Sequence, residues 1–250
     1  AATLEEFRNY HKTYYGPNNA VLIVAGDIDS NKTEELVRKY FDEVPTGNVV
    51  VRNFPKEEPI TKNTKAVAYD ENIQIPMLLA TFRTPGFAQR DAYVLDMIST
   101  YLSDGKSSVL YKKLVDEQKQ ALQTQVINLG QVDYNIFAIL ALPLGEVELD
   151  TLLEEIEEEI NKVRNELISE RSYGKLLNKF ENLFVNSNSS IAGIANSLAR
   201  YYMLYGDVNL INKEIDIYRS ITREEIQMVA KKYLGKDQRV DIEYLPKPSK

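Results

Sequence analysis

A stretch of 21 residues near the start of the chain recurs near its end, and this repeat limits the fold more than any other feature. Thr3–Ile23 aligns without gaps on Thr222–Ile242, with identities at Thr3/Thr222, Glu5/Glu224, Glu6/Glu225, Lys12/Lys231, Tyr14/Tyr233, Gly16/Gly235, Val21/Val240 and Ile23/Ile242. Each copy reads as a helix, a glycine stop and a strand. In the first, Thr3 and Glu6 make a capping-box pattern, and Leu4, Phe7, Tyr10 and Tyr14 fall on one helical face. Gly16, Pro17, Asn18 and Asn19 then end the helix, and the apolar run Ala20–Ala25 reads as a strand buried on both faces. A bland account is that any capped helix followed by a glycine and a strand looks like any other. The offset favours duplication instead, because it is the length of one large domain.

Duplication predicts that the two segments share one backbone and lie in different sheets. It places Gly16 and Gly235 just past their helices, with positive φ. Arg239–Leu245 alternates polar and apolar residues, which predicts a strand near an edge or a solvated face. On this reading residues 1–46 are the C-terminal tail of a first domain whose front is missing. Residues 47–63, broken by Gly47, Pro55 and Pro59, are a linker, and 64–250 are a second domain.

Within that second domain the periodicity predicts strands over 65–70, 75–83, 122–129, 134–142 and 239–245, with 122–129 and 134–142 forming a hairpin. Helices are predicted over 90–102, 109–117, 148–168, 171–185, 191–205, 208–219 and 222–234. Strands and helices are partly segregated, so the fold class is α+β: two homologous α/β-sandwich-like domains, the first present only as its tail.

Histidine count bounds the chemistry. The 250 residues include one histidine, His11, and no cysteine. A catalytic zinc site takes two or three imidazoles as a rule. Without cysteine there are no disulfides, thiolate metal sites or thiol nucleophiles. No catalytic, cofactor-binding or metal-ligating residue is therefore expected in this chain. A formal charge of −7 and a pI near 5.0 give no basic stripe for nucleic acid, and no apolar run is long enough for a membrane-spanning helix.

Four groups invite a sharper reading. His11 on its amphipathic helix reads as structural or solvent-facing, since positions 7, 8, 14 and 15 offer no second ligand except tyrosines. Glu154, Glu155, Glu157, Glu158 and Glu159 read as a solvated helix face rather than a cation site. Gly105, Lys106 and Ser107 echo the end of a phosphate-binding loop, but Thr100 stands where the earlier glycine belongs. Tyr201, Tyr202 and Tyr205 read as core and domain-interface packing.

Phe7–Asp29 (FRNYHKTYYGPNNAVLIVAGDID), Asp104–Gln118 (DGKSSVLYKKLVDEQ) and Gly193–Asn212 (GIANSLARYYMLYGDVNLIN) together resemble the pitrilysin and insulin-degrading-enzyme family, which includes the mitochondrial processing peptidases. The resemblance implies a zinc endopeptidase of two homologous α+β domains. Its zinc is held by an inverted His-x-x-Glu-His motif and a further Glu, all upstream of Ala1, with the motif's own Glu as general base. Many members carry an Arg and, seven residues on, a Tyr in the second domain; those positions fall on Val115 and Leu122. The resemblance therefore implies a non-catalytic C-terminal part that forms chamber wall and partner contacts. Zinc is expected in the missing half. The implied partners are a peptide substrate and a second subunit carrying the Arg/Tyr pair, with self-association of the exposed first segment as a further expectation. The rival reading is a non-enzymatic assembly or binding subunit of the same fold. The discriminating feature is an HxxEH motif upstream of Ala1.

Overall fold

Local signals set the elements, in the order α1 (Leu4–Tyr14), α2 (Ser30–Phe41), β1 (Thr64–Asp70), β2 (Met77–Pro85), α3 (Arg90–Ser103), β3 (Ala121–Leu129), β4 (Tyr134–Pro143), α4 (Leu149–Asn165), α5 (Glu170–Ser187), α6 (Ile191–Tyr205), α7 (Leu210–Arg219), α8 (Arg223–Tyr233) and β5 (Arg239–Pro246). The computed structural model describes residues 2–47, 51 and 53–247. Part of the expected linker, 48–50 and 52, lies outside the described residues. The expected helix over 109–117 is present, but Tyr111–Glu117 is wound as a π-helix. The chain divides into two compact units, residues 1–57 with 183–212, and residues 58–182 with 213–250. Helix α5 contributes residues to both.

In the first unit, Thr3 caps α1 by a reciprocal box with Glu6, and Asp29 caps α2 by accepting from the Lys32 amide at 3.0 Å. Ser190 caps α6 in the same way, and Gly206 ends it at φ +70, a conformation glycine adopts without a Cβ clash. Ala20–Ala25 is not a strand. It begins extended at Ala20, yet belongs to no sheet among the described residues, and Leu22 and Val24 are exposed. The apolar run reports what the segment needs covered on both faces. A strand also needs a ladder partner, and the run itself carries no information about that.

The second unit is a five-stranded sheet ordered β1-β5-β2-β4-β3. Only β1 and β5 run parallel; β5/β2, β2/β4 and β4/β3 are antiparallel. One face carries Leu78, Ala80 and Phe82 of β2 beside Phe137, Ile139 and Ala141 of β4, all buried. Helices α3, α4 and α8 close this face with Val94, Leu95, Ile98, Ile156, Ile160, Ile226 and Val229. Phe82 and Phe137 meet edge to face at 6.4 Å, a favoured geometry for aromatic quadrupoles. The segregated helix layer makes the unit α+β.

From the N-cap to the residue after the 3-10 turn, the two repeat segments share a backbone; beyond it only the second is a strand. Thr3 and Thr222 are both extended N-caps whose hydroxyls accept the amide three residues on, at 3.2 and 3.1 Å. Each helix has 11 residues and ends at φ −102, ψ 31 (Tyr15) or φ −104, ψ 35 (Leu234). A single 3-10 turn follows each glycine, and then an extended residue, Ala20 or Arg239. The glycines are not in the left-handed region, contrary to expectation: Gly16 has φ −83 and Gly235 φ −72. Gly16 is required by space. A Cβ there would stand 2.7 Å from Asn18 Oδ1 and 2.8 Å from the Gly47 nitrogen. Asn18 occupies that spot because it pairs with both polar atoms of the Gly47 backbone.

Candidate functional site

β5 lies between β1 and β2, one strand in from the edge, and its polar residues, not its apolar ones, face the helices. Arg239 and Asp241 point to the helix-covered face, aligned with Phe82 and Ala80 of β2, and are only 2% and 3% exposed. Val240, Ile242 and Tyr244 point to the other face. The sequence shows the period but not which side the helices cover, and here they cover the charged side.

Those charges are buried because they are paired. Arg239 Nε stands 2.6 Å from Asp241 Oδ1, off the hydrogen-bonding direction, so the two interact chiefly as charges. Asp241 Oδ2 accepts from Arg239 at 3.3 Å and from Asn63 Nδ2 at 2.8 Å. Glu157 of α4 holds the far side of the guanidinium and is itself 3.5 Å from Arg164. The Arg239 guanidinium also lies 6.0 Å from the Phe82 ring centroid, within cation–π range. A cleft of about 400 Å³ opens over this group, lined also by Lys65, Asp150, Glu154, Asn161 and Lys236. Lys65 bonds Asp150 at 2.9 Å along its wall. With acids and bases interleaved, the cleft favours no ion of one sign.

A second ion cluster lies where α4 meets the π-helix. Lys113 Nζ is 2.7 Å from both Glu155 and Glu158 and 3.1 Å from Glu159, and Glu159 also takes Lys162 at 2.6 Å. Burial on its own would lower the Lys113 pKa, but the three carboxylates outweigh it and raise it. The same contact holds Glu155 below its ordinary value. The glutamates are therefore not simply a solvated face: Glu155, Glu157, Glu158 and Glu159 are ion-paired, and Glu159 is buried. Winding by i+5 bonds (Gln118 amide to Lys113 carbonyl, 2.9 Å) carries the chain into β3 through Lys119 at φ +53.

The remaining sequence candidates are dispersed. His11 lies on exposed α1, its ring stacked on Tyr15 at 5.0 Å. Gly105 has φ +82 in a turn tied to α5 by Lys175 on Ser107 and Lys179 on Asp104. Tyr201 is buried while Tyr202 is exposed. Val115 is half-buried and Leu122 exposed, and neither side chain can donate a hydrogen bond.

Zinc, the metal implied by the resemblance, does not fit the residues present. There is one imidazole in the chain, and among the described residues no group of three or more His, Cys, Asp or Glu converges as a ligand set. Nor, among the described residues, is any helix long and apolar enough to cross a membrane.

The face away from α3, α4 and α8 has a different chemistry. Ile242 and Tyr244 of β5, Met77 and Leu79 of β2, and Leu140 of β4 form a half-buried apolar field across the strands. Its charges sit at the margins. Asp70 takes the Tyr244 hydroxyl, which holds its carboxyl below the usual range, and Arg83 donates to the Glu58 carbonyl at 2.7 Å.

Comparison with known proteins gives one family. Residues 1–180 match the family model described as the peptidase M16 inactive domain. The zinc protease PqqE of Helicobacter pylori is 25% identical over 242 residues, 96% of this chain and 54% of that protein. A probable mitochondrial-processing peptidase subunit beta of Arabidopsis thaliana is 21% identical over 82% of this chain and 40% of its own length. The chain thus spans about half the length of the curated relatives it matches. Among solved structures, a protease from Helicobacter pylori superposes with a TM-score of 0.89 at 24% identity, covering 99% of this chain and 60% of that one.

Proposed function

Because the chain belongs to the peptidase M16 inactive-domain family, we propose that it is the non-catalytic part of a zinc-dependent endopeptidase, and that the open face of its sheet is a wall along which peptide lies. Residues 1–46 are then the tail of the zinc-binding domain, 47–63 the linker and 64–250 the second domain. None of this chain's residues acts on the scissile bond. Zinc and its general base belong to the other half, and an Arg/Tyr pair belongs to a second subunit.

One observation carries the reading: β5 turns Arg239 and Asp241 inward and Val240, Ile242 and Tyr244 outward. Burying charges under helices while leaving apolar residues on an open face is costly in isolation. It is reasonable if that face must accept extended chains of any sequence, since an apolar surface without central charges gives no charge discrimination and binds each segment weakly.

A labelled unfolded polypeptide titrated with the chain should gain fluorescence anisotropy. Ile242→Lys should weaken that binding by about tenfold, equivalent to roughly 1.4 kcal/mol. Unchanged affinity in a variant with native circular dichroism would overturn the wall reading.

A further inference from the structure

β1 ends the sheet on one side, and its outer edge is bare. In an extended strand the N–H and C=O of one residue point to the same side, and those of the next residue to the other. The Asp70 carbonyl takes the Lys247 amide at 2.9 Å, so Thr64, Ala66, Ala68 and Asp70 address β5. The N–H and C=O groups of Lys65, Val67 and Tyr69 therefore point away from the sheet. Among the described residues these groups have no hydrogen-bond partner. The side chains there are uncovered as well. Val67 and Tyr69, aligned with Glu243 and Leu245, lie on the side of the sheet that carries the helices, yet are 51% and 59% exposed. The other edge strand is treated differently: Ser103 of α3 takes the Val126 amide of β3 at 2.6 Å.

We propose that the outer edge of β1 pairs with β1 of a second copy of this chain, antiparallel about a two-fold axis at Val67. In that register Val67 lies opposite the partner's Val67, and Lys65 opposite the partner's Tyr69. All of these are outward-facing residues, so each opposed pair exchanges two hydrogen bonds and every free group of the edge is satisfied. The strand's own charges select this direction. Lys62 and Lys65 stand at its start, Asp70 and Glu71 at its end. Antiparallel pairing brings bases to acids, whereas parallel pairing would set like against like. Asp70 lies opposite the partner's Thr64, whose hydroxyl can donate to it. Lys65 lies beside the ring of the partner's Tyr69, an arrangement suited to cation–π attraction. An unrelated extended peptide could bond the same backbone groups but would lack this matched reversal of charge. The two sheets become one, and a single strand pair is a small interface, so association is weak and concentration-dependent. The proposal rests on the edge of the sheet and is independent of the open-face reading.

The chain has no cysteine, so Val67→Cys carries the only thiol. Opposed hydrogen-bonded residues stand about 5.5 Å apart between Cα atoms, within disulfide range. Mild oxidation with glutathione disulfide should link Val67→Cys into a covalent dimer and should leave Met228→Cys, exposed on α8, unlinked. Sedimentation equilibrium of the natural chain should show monomer and dimer in exchange. Val67→Pro removes one outward N–H and none of the bonds to β5, and Val67→Lys sets two ammonium groups on the axis. Each should keep native circular dichroism and weaken the dimer by about tenfold or more. A natural chain that stays monomeric would leave the edge to another occupant and overturn the proposal. So would a dimer indifferent to Val67→Lys, which belongs to another face, or equal cross-linking from Met228→Cys.

Discussion

Arg239 and Asp241, two residues apart on one face of β5, form an ion pair under α4 with Nε 2.6 Å from Oδ1. Breaking such a pair from one side leaves a buried charge with too few partners, whereas replacing both sides removes the desolvation cost along with the attraction. Asp241→Leu should therefore destabilise the second unit by about 3–5 kcal/mol, read from urea unfolding. Arg239→Met with Asp241→Leu should cost less than Asp241→Leu by itself. A double variant as unstable as the sum of the two singles would refute this account.

Metal binding gives a second expectation. The chain should hold no stoichiometric zinc and show no metal-dependent proteolysis, and His11→Ala should change neither property. Elemental analysis giving one tightly held zinc per chain would contradict it.

Acid should act partly through Lys113 and Glu155. The folded-state pKa of Glu155 lies below its ordinary 4.5, so its contribution is present above pH 4.5 and is lost as pH falls through the folded value. The Lys113 pKa is raised above 10.5, so its contribution is full below that pH and lost only as pH rises through the folded value. The difference in urea midpoint between the natural chain and Glu155→Gln should be full at neutral pH and close below pH 4.5. A gap that persists in acid would mean that Glu155 acts by packing.

Two glycines that follow helices, Gly235 and Gly206, should respond differently to alanine. At Gly235 the added Cβ meets only the flexible Gln238 side chain, at 3.0 Å, and φ −72 suits any residue. Gly235→Ala should be neutral or stabilising by up to about 1 kcal/mol. Gly206→Ala, at φ +70, should cost roughly 1 kcal/mol. Thermal melting distinguishes these signs.

Amide hydrogen exchange should separate the copies of the repeat. Helix α8 and β5 are packed or in the sheet, while α1 has no buried residue and Ala20–Ala25 no ladder. Amides of α1 and 20–25 should exchange far faster than their counterparts over 223–244. Equal protection would show that the first copy is covered in solution.

Much of this architecture was legible in the residues. The strands over 64–85 and 121–143, the long helices and the repeat all follow from period, caps and breakers. The errors share a cause. The run Ala20–Ala25 reads as a strand from its side-chain pattern, but pairing is set by what lies opposite; β5 is a strand as expected, with the covered side left open by its pattern. The glutamates of α4 looked solvated because Lys113, more than forty residues earlier, gives no local sign of pairing with them. The cleft over Arg239 needed register as well: only the alignment of Arg239 with Phe82, and the apolar Leu22 at the matching place in the first copy, mark the charges as unusual.

The position of β5 has a consequence for how the chain is made. Asn63 bonds Asp241 across 178 residues, and β5 is the strand that joins β1 to the rest of the sheet. During synthesis strands β2, β4 and β3 can pair early, while β1 waits, unpaired, until residues 239–246 leave the ribosome. Such long-range closure is slow, and it leaves the backbone edge of β1 that β5 will pair available to wrong neighbours in the interval. Folding of this unit should therefore be controlled by arrival of its last strand, and nascent chains stalled short of Arg239 should be the species most dependent on chaperones.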